Sequence, residues 1–308
     1  MDQSLLAGNK LPAEDAACEL PEVRFLAIGD FGYDIPSLPE GMNPSDTDLP
    51  GPMLAHAMST YAAATGKPDF ILGLGDNFYP GGVNSVEDSR FNTTWRNVYL
   101  PHESLQCTWH MVLGNHDYHE NPDAQIQYTD SLLNVGSFWH MPARNYQFTA
   151  GQVEFFALDT CCVQGNVRRL VPGIESKLFK HIEDLDRALA ASRARFKIVF
   201  GHHPMYTKGR YHGILGRCLR GPSYTYRPSR FDESITAPGY NLEAVLSRHG
   251  VCAYITGHEH KFQHHFAANI HNLVCGASCD NVFYGGEVKK SSLCPCVLQM
   301  LVQFVKLM

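Results

Sequence analysis

Five apolar runs in this chain each end in a glycine that is followed by a side chain able to bind a metal ion. A lone Gly-Asp or Gly-His step is usually an ordinary turn. Carboxylate, amide, phenol and imidazole groups placed after five separate runs instead predict one shared metal centre. The five motifs are Gly29-Asp30-Phe31-Gly32, Gly75-Asp76-Asn77-Phe78-Tyr79, Gly114-Asn115-His116-Asp117, Gly201-His202 and Gly257-His258-Glu259-His260.

These motifs require strands whose ends meet. Apolar runs predict strands over residues 23–28, 70–74, 109–113, 197–200 and 251–256, each directly before one motif, and a sixth strand over 153–158. Amphipathic patterns predict helices over 53–65 and 176–193, and a third helix that Asn241 caps. Strands that alternate with helices indicate an α/β fold. In such folds ligands bind at the carboxyl ends of strands, so motifs far apart in sequence can converge.

Together the motifs resemble those of the purple acid phosphatases, a branch of the calcineurin-like metallophosphoesterases. The resemblance covers residues 23–260 and is closest to the small, tartrate-resistant type. Two positions select this branch: Gly32 stands where other metallophosphoesterases carry a histidine, and Tyr79 follows the second aspartate by three residues. The resemblance implies a four-layer αββα sandwich of two mixed sheets flanked by helices. We expect an extension over 1–22 and one catalytic domain over 23–308, whose C-terminal end is truncated or atypical.

The resemblance also implies a binuclear metal centre, and all seven of its ligand positions carry the residue type that the family uses. The ligands implied for Fe(III) are Asp30, Tyr79, His260 and a bridging Asp76. Those implied for a second, divalent ion (Fe, Zn or Mn) are Asp76, Asn115, His202 and His258. A phenolate is a hard anionic donor that stabilises trivalent iron. The expected reaction is hydrolysis of phosphate monoesters through attack of a metal-bound hydroxide, the activity of an acid phosphatase.

Three further histidines are candidates for contact with the substrate. His116 directly follows Asn115 and matches the substrate-facing histidine of the family. His212 lies ten residues after His202, near the place where small members carry another such histidine. His203 is the third candidate, although we expect the neighbour of a strand-end ligand to point to the opposite side. A family disulfide could join Cys218 to Cys162 or to Cys161.

Two other functions are compatible with the same motifs. One is a metallophosphoesterase of the same fold that cleaves phosphodiesters or nucleotides with Mn or Zn. The other is a metal-binding scaffold without turnover. Activity profiles on monoesters and diesters would distinguish these hypotheses from the acid phosphatase.

Composition narrows the classes of partner. The 308 residues include 25 basic and 31 acidic side chains, so the net charge of -6 argues against a nucleic-acid binder. We find no apolar run long enough for a membrane span and therefore expect no membrane partner. The expected partners are small phosphorylated substrates, and the chain is expected to be a monomer. No signal peptide is recognisable, whereas the family resemblance suggests a secreted or lysosomal protein.

Overall fold

The computed structural model describes residues 22–33, 50–161, 174–208 and 242–276. Within these ranges ten strands form two sheets. The first sheet has the order β1 (Phe25–Ile28), β2 (Phe70–Gly73), β3 (Thr108–Met111) and β4 (Trp139–His140). The second has the order β5 (Tyr146–Ala150), β6 (Val153–Leu158), β7 (Phe196–Gly201), β8 (Ala253–Thr256), β10 (Ile270–Cys275) and β9 (Phe262–Ala267).

Helices connect the strands. They are α1 (Pro50–Thr65), α2 (Asn97–Tyr99), α3 (Pro122–Tyr128), α4 (Ile174–Ala191) and α5 (Leu242–Arg248). A π-helical segment, Phe91–Arg96, leads into α2, and single 3₁₀ turns cover Glu103–Leu105 and His116–His119. None of the helices in the described ranges combines the length and apolar character that a membrane span requires.

The expected α/β class with two sheets is confirmed, with one difference in detail. In the second sheet, β6, β7, β8 and β10 are parallel, while β5 and β9 pair antiparallel at its two edges. In the first sheet every described pair is parallel, whereas we expected a mixed sheet. Parallel neighbours place the carboxyl ends of their strands at one edge, which is the arrangement that the motifs require.

Apolar side chains on both faces of each sheet produce the four layers. Phe25 and Phe70 on the first sheet face Phe155 on the second, with ring centroids 5.3 and 5.1 Å from it. Leu26 lies on the other face of β1, in a cluster that includes Met58 of α1. Each fully buried side chain of this size contributes about 1.5–3 kcal/mol. These contacts fix the separation of the two sheets and therefore the distance between their strand ends.

Most of the predicted elements are present, with ends that shift by up to three residues. The helical stretch from Phe91 to Leu105 was not predicted from the sequence. The sequence does carry a signal for this helical stretch, because Phe91, Trp95 and Tyr99, which are all buried, recur every four residues, close to the period of a helix face. The domain limits proposed from the sequence stay a prediction, and residues 277–308 lie outside the described ranges.

Candidate metal centre

The predicted metal ligands follow strands of both sheets, and the structure brings the ends of these strands together. Asp30 follows β1 and Asp76 lies beyond β2 in the first sheet, whereas His202 follows β7 and His258 lies beyond β8 in the second. The backbone N–H of His258 donates to Asp30 Oδ2 at 2.7 Å across 228 positions of sequence. This hydrogen bond joins the two sheets at the site.

One group of predicted ligands surrounds the hydroxyl of Tyr79. That oxygen lies 2.9 Å from Asp76 Oδ2, 3.3 Å from Asp30 Oδ1 and 3.3 Å from His260 Nε2. The His260 Nε2 atom is in turn 3.5 Å from Asp30 Oδ1. Both aspartates and Tyr79 are buried, whereas His260 is partly exposed. The four side chains expected to bind Fe(III) therefore converge around one point.

A second group surrounds Nε2 of His202. This nitrogen lies 3.1 Å from His258 Nδ1, 3.2 Å from Asn115 Oδ1 and 3.5 Å from Asp76 Oδ1. All four residues are buried. Because one oxygen of Asp76 faces each group, its carboxylate is placed to be shared between two cations.

The donor atoms of the second group suit a metal ion. Nδ1 of His202 donates to the carbonyl of Leu74 at 2.8 Å, so Nε2 is the ring nitrogen that faces the other donor atoms and is left for a metal ion. Burial disfavours a charged His202, but the negative charges of Asp76 and Asp30 outweigh burial and raise the pKa of His202 to about 9. Burial likewise acts to raise the pKa of Asp76, but attraction to His202 and hydrogen bonding hold that pKa well below its ordinary value. The site thus favours positive charge among its anionic oxygens, which a cation would supply.

The backbone at the ligands is locally unusual. Asp30, Asp76 and His258 have φ values of 58°, 52° and 73°, in the left-handed region that non-glycine residues seldom adopt. Gly75, directly before Asp76, also has a positive φ of 88°, so both residues turn the chain at that motif. Gly114 allows close approach instead, since a Cβ there would lie 2.1 Å from the backbone nitrogen of Asp76. Left-handed conformations of this kind are concentrated at functional sites.

His116 lies at the edge of the centre. Its backbone N–H donates to Asp76 Oδ1 at 2.8 Å, and its Nδ1 donates to the carbonyl of Pro80 at 2.7 Å. The partly exposed ring contacts the ring of Tyr79, with centroids 4.4 Å apart. This position is compatible with contact to a substrate, and the role of His116 stays a prediction.

The position of His203 differs from our expectation. The strand β7 ends at Gly201, so His202 and His203 lie in a bend and do not alternate across a sheet. Ring nitrogens of His203, His202 and His258 lie within 4.8 Å of one another, and His203 Nδ1 is 2.9 Å from Thr160 Oγ1. His203 is fully buried and packs against the two ligand rings. His212, the other candidate, lies outside the described residues.

Asp117 supports the site, although its place in the sequence predicts no role for it. It is fully buried, and its carboxylate accepts hydrogen bonds from two loops. The donors are the backbone N–H groups of Gly114 at 2.7 Å, Asn77 at 3.1 Å and Phe78 at 3.2 Å, and the side chain of Gln125 at 2.9 Å. Burial and the charge of Asp76 raise the pKa of Asp117, and these donors oppose the rise. One side chain thus ties the loop of Asp76 to the loop of Asn115.

Only one of the three cysteines considered for the family disulfide lies among the described residues. Cys161 is buried and carries a thiol that donates to the carbonyl of Leu113 at 3.3 Å. The other two cysteines considered for this bond, Cys162 and Cys218, lie outside the described residues.

Comparisons with known proteins identify relatives of this chain. Tartrate-resistant acid phosphatase type 5 of Mus musculus is 29% identical over 256 residues, which cover 79% of this chain and 68% of the relative. Purple acid phosphatase 7 of Arabidopsis thaliana is 30% identical over 252 residues, covering 78% of this chain and 65% of the relative. Purple acid phosphatase 17 of the same plant is 34% identical over 206 residues, covering 64% and 54%. The resemblance to purple acid phosphatases that the motifs predict is confirmed by these relatives.

A solved structure and a family model complete the comparison. The protein described as "GAP50 the anchor in the inner membrane complex of Plasmodium" matches with a TM-score of 0.59 and 22% identity, over 84% of this chain and 72% of that chain. At this identity the likeness shows the fold alone. The sequence model of the calcineurin-like phosphoesterase family matches residues 23–262, which is most of the chain. This range includes all seven predicted metal ligands. The chain therefore belongs to the calcineurin-like phosphoesterase family.

Proposed function

We propose that this chain is a binuclear metallohydrolase that hydrolyses phosphate monoesters with Fe(III) and a divalent ion. Family membership supports phosphoesterase activity in general. The observation that carries the finer proposal is the position of Asp76 between two ligand groups, with Oδ2 on the Tyr79 hydroxyl and Oδ1 facing His202. The phenol oxygen in the first group supports a trivalent ion there, because phenolate is a hard anionic donor.

The residues divide between the two ions as their contacts suggest. Fe(III) would be held by Asp30, Tyr79, His260 and Asp76, and the divalent ion (Fe, Zn or Mn) by Asp76, Asn115, His202 and His258. When bound, two such cations activate water and neutralise the charge of the phosphate group. The protein fixes the ligand atoms in place, and its buried setting strengthens their electrostatic interactions.

His116 is proposed to donate the proton that the leaving oxygen needs. Its Nδ1–H is engaged by the Pro80 carbonyl at 2.7 Å, so Nε2 is the ring nitrogen left for the substrate. The bond from its backbone to Asp76 ties its position to the shared ligand. His203 is proposed to hold the rings of His202 and His258 and not to contact the substrate, because it is fully buried. His212 stays a candidate for substrate contact.

Metal analysis and absorption spectroscopy test the iron part of the proposal. The loaded protein should contain iron and show a tyrosinate-to-iron(III) charge-transfer band. Tyr79→Phe should lose this band, whereas Tyr61→Phe, in the partly buried face of α1 away from the site, should keep it. An active protein with both metals bound but no such band would refute the iron–tyrosinate assignment.

Leaving-group dependence tests His116. General acid catalysis contributes about 10²–10⁴-fold, and more when the leaving oxygen is strongly basic. His116→Ala should therefore slow alkyl phosphates much more than p-nitrophenyl phosphate, with unchanged metal content. His264→Ala, at an exposed position of β9, is the matched control. An equal loss on both substrates would contradict the assigned role.

A substrate panel tests the reaction class. Phosphate monoesters should be hydrolysed in preference to phosphodiesters when both metals are bound. Preference for diesters or nucleotides would support a different phosphoesterase of the same family. Absence of turnover on either class by the metal-loaded protein would support a binding scaffold.

A further inference from the structure

Tyr33 lies directly against the proposed iron ligand Tyr79. The two rings are stacked, with centroids 4.3 Å apart and planes inclined by only 11°. The ring of Tyr79 also contacts His116 at a centroid distance of 4.4 Å, but with a tilt of 50°. Tyr33 is thus the residue that makes a parallel face-to-face contact with Tyr79, and such contacts restrict the orientation of a ring.

The backbone holds this stack in place. The N–H of Tyr79 donates to the carbonyl of Gly32 at 2.6 Å, one residue before Tyr33. A Cβ on Gly32 would lie 2.2 Å from the backbone of Asn77, so only glycine allows the two loops to come this close. The stack therefore depends on close contact between the two loops, which Gly32 of the first motif permits.

The orientation of the Tyr79 ring matters because its hydroxyl must meet three partners at once. Asp76, Asp30 and His260 all place an atom within 3.3 Å of that oxygen. A rotation of the ring about its long axis leaves the hydroxyl oxygen in place, but a tilt of the ring moves it. A parallel partner covering one face opposes such a tilt.

We infer that Tyr33 is a positioning residue that orients the phenol of Tyr79 as a metal ligand. The inference rests on the proposed function, because it takes Tyr79 to bind the trivalent ion. Tyr33 itself contributes no ligand atom in this assignment. Its aromatic face, and not its hydroxyl, is the group that acts.

The test compares Tyr33→Phe, Tyr33→Leu and Tyr33→Ala in the metal-loaded protein. The measurements are the tyrosinate-to-iron(III) band per bound iron and the rate at which a chelator removes the trivalent ion. Tyr33→Phe should match the wild type, because the stacked face remains. Tyr33→Leu and Tyr33→Ala should weaken and shift the band, and should release the trivalent ion about three- to tenfold faster. Tyr61→Ala serves as a control for loss of a partly buried tyrosine elsewhere.

The outcomes separate the inference from the proposed function. A normal wild-type band that is unchanged in Tyr33→Leu and Tyr33→Ala would overturn the inference alone. A wild-type protein that binds iron without the band would overturn the iron–tyrosinate assignment and the inference with it. If Tyr33→Ala does not fold, Tyr33→Leu decides, since leucine retains most of the buried volume. A loss of band in Tyr33→Phe equal to that in Tyr33→Leu would also overturn the claim that the aromatic face acts.

Discussion

Replacement of His110 by phenylalanine should remove part of the acid sensitivity of the folded protein. His110 lies on β3 with only 8% of its surface exposed, and its ring is stacked on Phe148 at a centroid distance of 3.6 Å. Its Nδ1 has no hydrogen-bond partner among the described residues. A phenyl ring could keep the aromatic contacts with Phe148 and Phe70 while removing a polar atom that burial leaves unsatisfied.

The size of the effect follows from the burial of the imidazole. Burial, together with the nearby charge of His140, lowers the pKa of His110 from 6.5 to about 3. Because this pKa is depressed in the folded state, its contribution to stability is fully present above pH 6.5 and is lost as pH falls toward 3. A tenfold change in proton affinity is worth about 1.4 kcal/mol, so the loss is at most about 5 kcal/mol. Between about pH 6.5 and about pH 4.5 it should reach roughly 2–3 kcal/mol.

Urea unfolding followed by tryptophan fluorescence measures this loss. The wild type and His110→Phe should be compared at several values from about pH 7.5 to about pH 4.5. The free energy of unfolding of the wild type should fall more steeply with acid than that of the variant, by the amount given above. His56→Phe, the same substitution at an exposed position of α1, is the control for replacing a histidine by phenylalanine outside the core.

Parallel stability curves for the wild type and His110→Phe would refute this reasoning. They would mean that His110 gains a proton in the folded state as readily as in the unfolded state, through access to water or to a partner. A variant that is less stable by the same amount at every pH gives parallel curves too; this outcome would refute the reasoning and would show in addition that phenylalanine does not fit the site. The change in slope is therefore the decisive quantity.

Three further predictions concern the metal centre. The Gly114→Ala protein should bind less metal, and its free energy of unfolding should fall by at least about 1–3 kcal/mol, because the added Cβ would lie 2.1 Å from the backbone of Asp76. Metal analysis and urea unfolding check this prediction. Asp117→Ala leaves four buried N–H donors without their acceptor and should lower the free energy of unfolding by at least about 3 kcal/mol, whereas unchanged stability would contradict its bridging role. Removal of metals by a chelator should lower the melting temperature, since binding at about 100 to 1,000 times Kd stabilises the native state by roughly 3–4 kcal/mol; an Asn115→Ala protein should show a smaller change.

The strands and the candidate metal ligands that follow them could be predicted from the sequence because each carries a local signal. The apolar run before Asp30, for example, predicts both a buried strand and its end, and the observed β1 ends at Ile28. Local patterns do not reveal pairing, so the sequence did not distinguish a parallel first sheet from a mixed one. The short strand β4 has only two residues and lacks a pattern long enough to detect.

The contacts between motifs were not accessible in the same way. Strand alternation predicts that His203 points away from His202, but the strand ends at Gly201 and the alternation does not extend to these residues. Asp117 stood inside a recognised motif, yet its role depends on donors from two loops that fold around it. Burial of His110 between the sheets likewise depends on Phe148 of the opposite sheet, 38 positions away in sequence.

The family, the strand ends and the predicted types of metal ligand could be read from the sequence alone, because they follow from short motifs and from the period of apolar residues. The sequence does not reveal that one oxygen of Asp76 faces Tyr79 and the other faces His202, or that Tyr33 covers the ring of Tyr79. These distances depend on the packing of the two sheets against each other, which no local pattern encodes. A hydrogen bond between residues 228 positions apart, such as that from His258 to Asp30, forms only when that packing is complete.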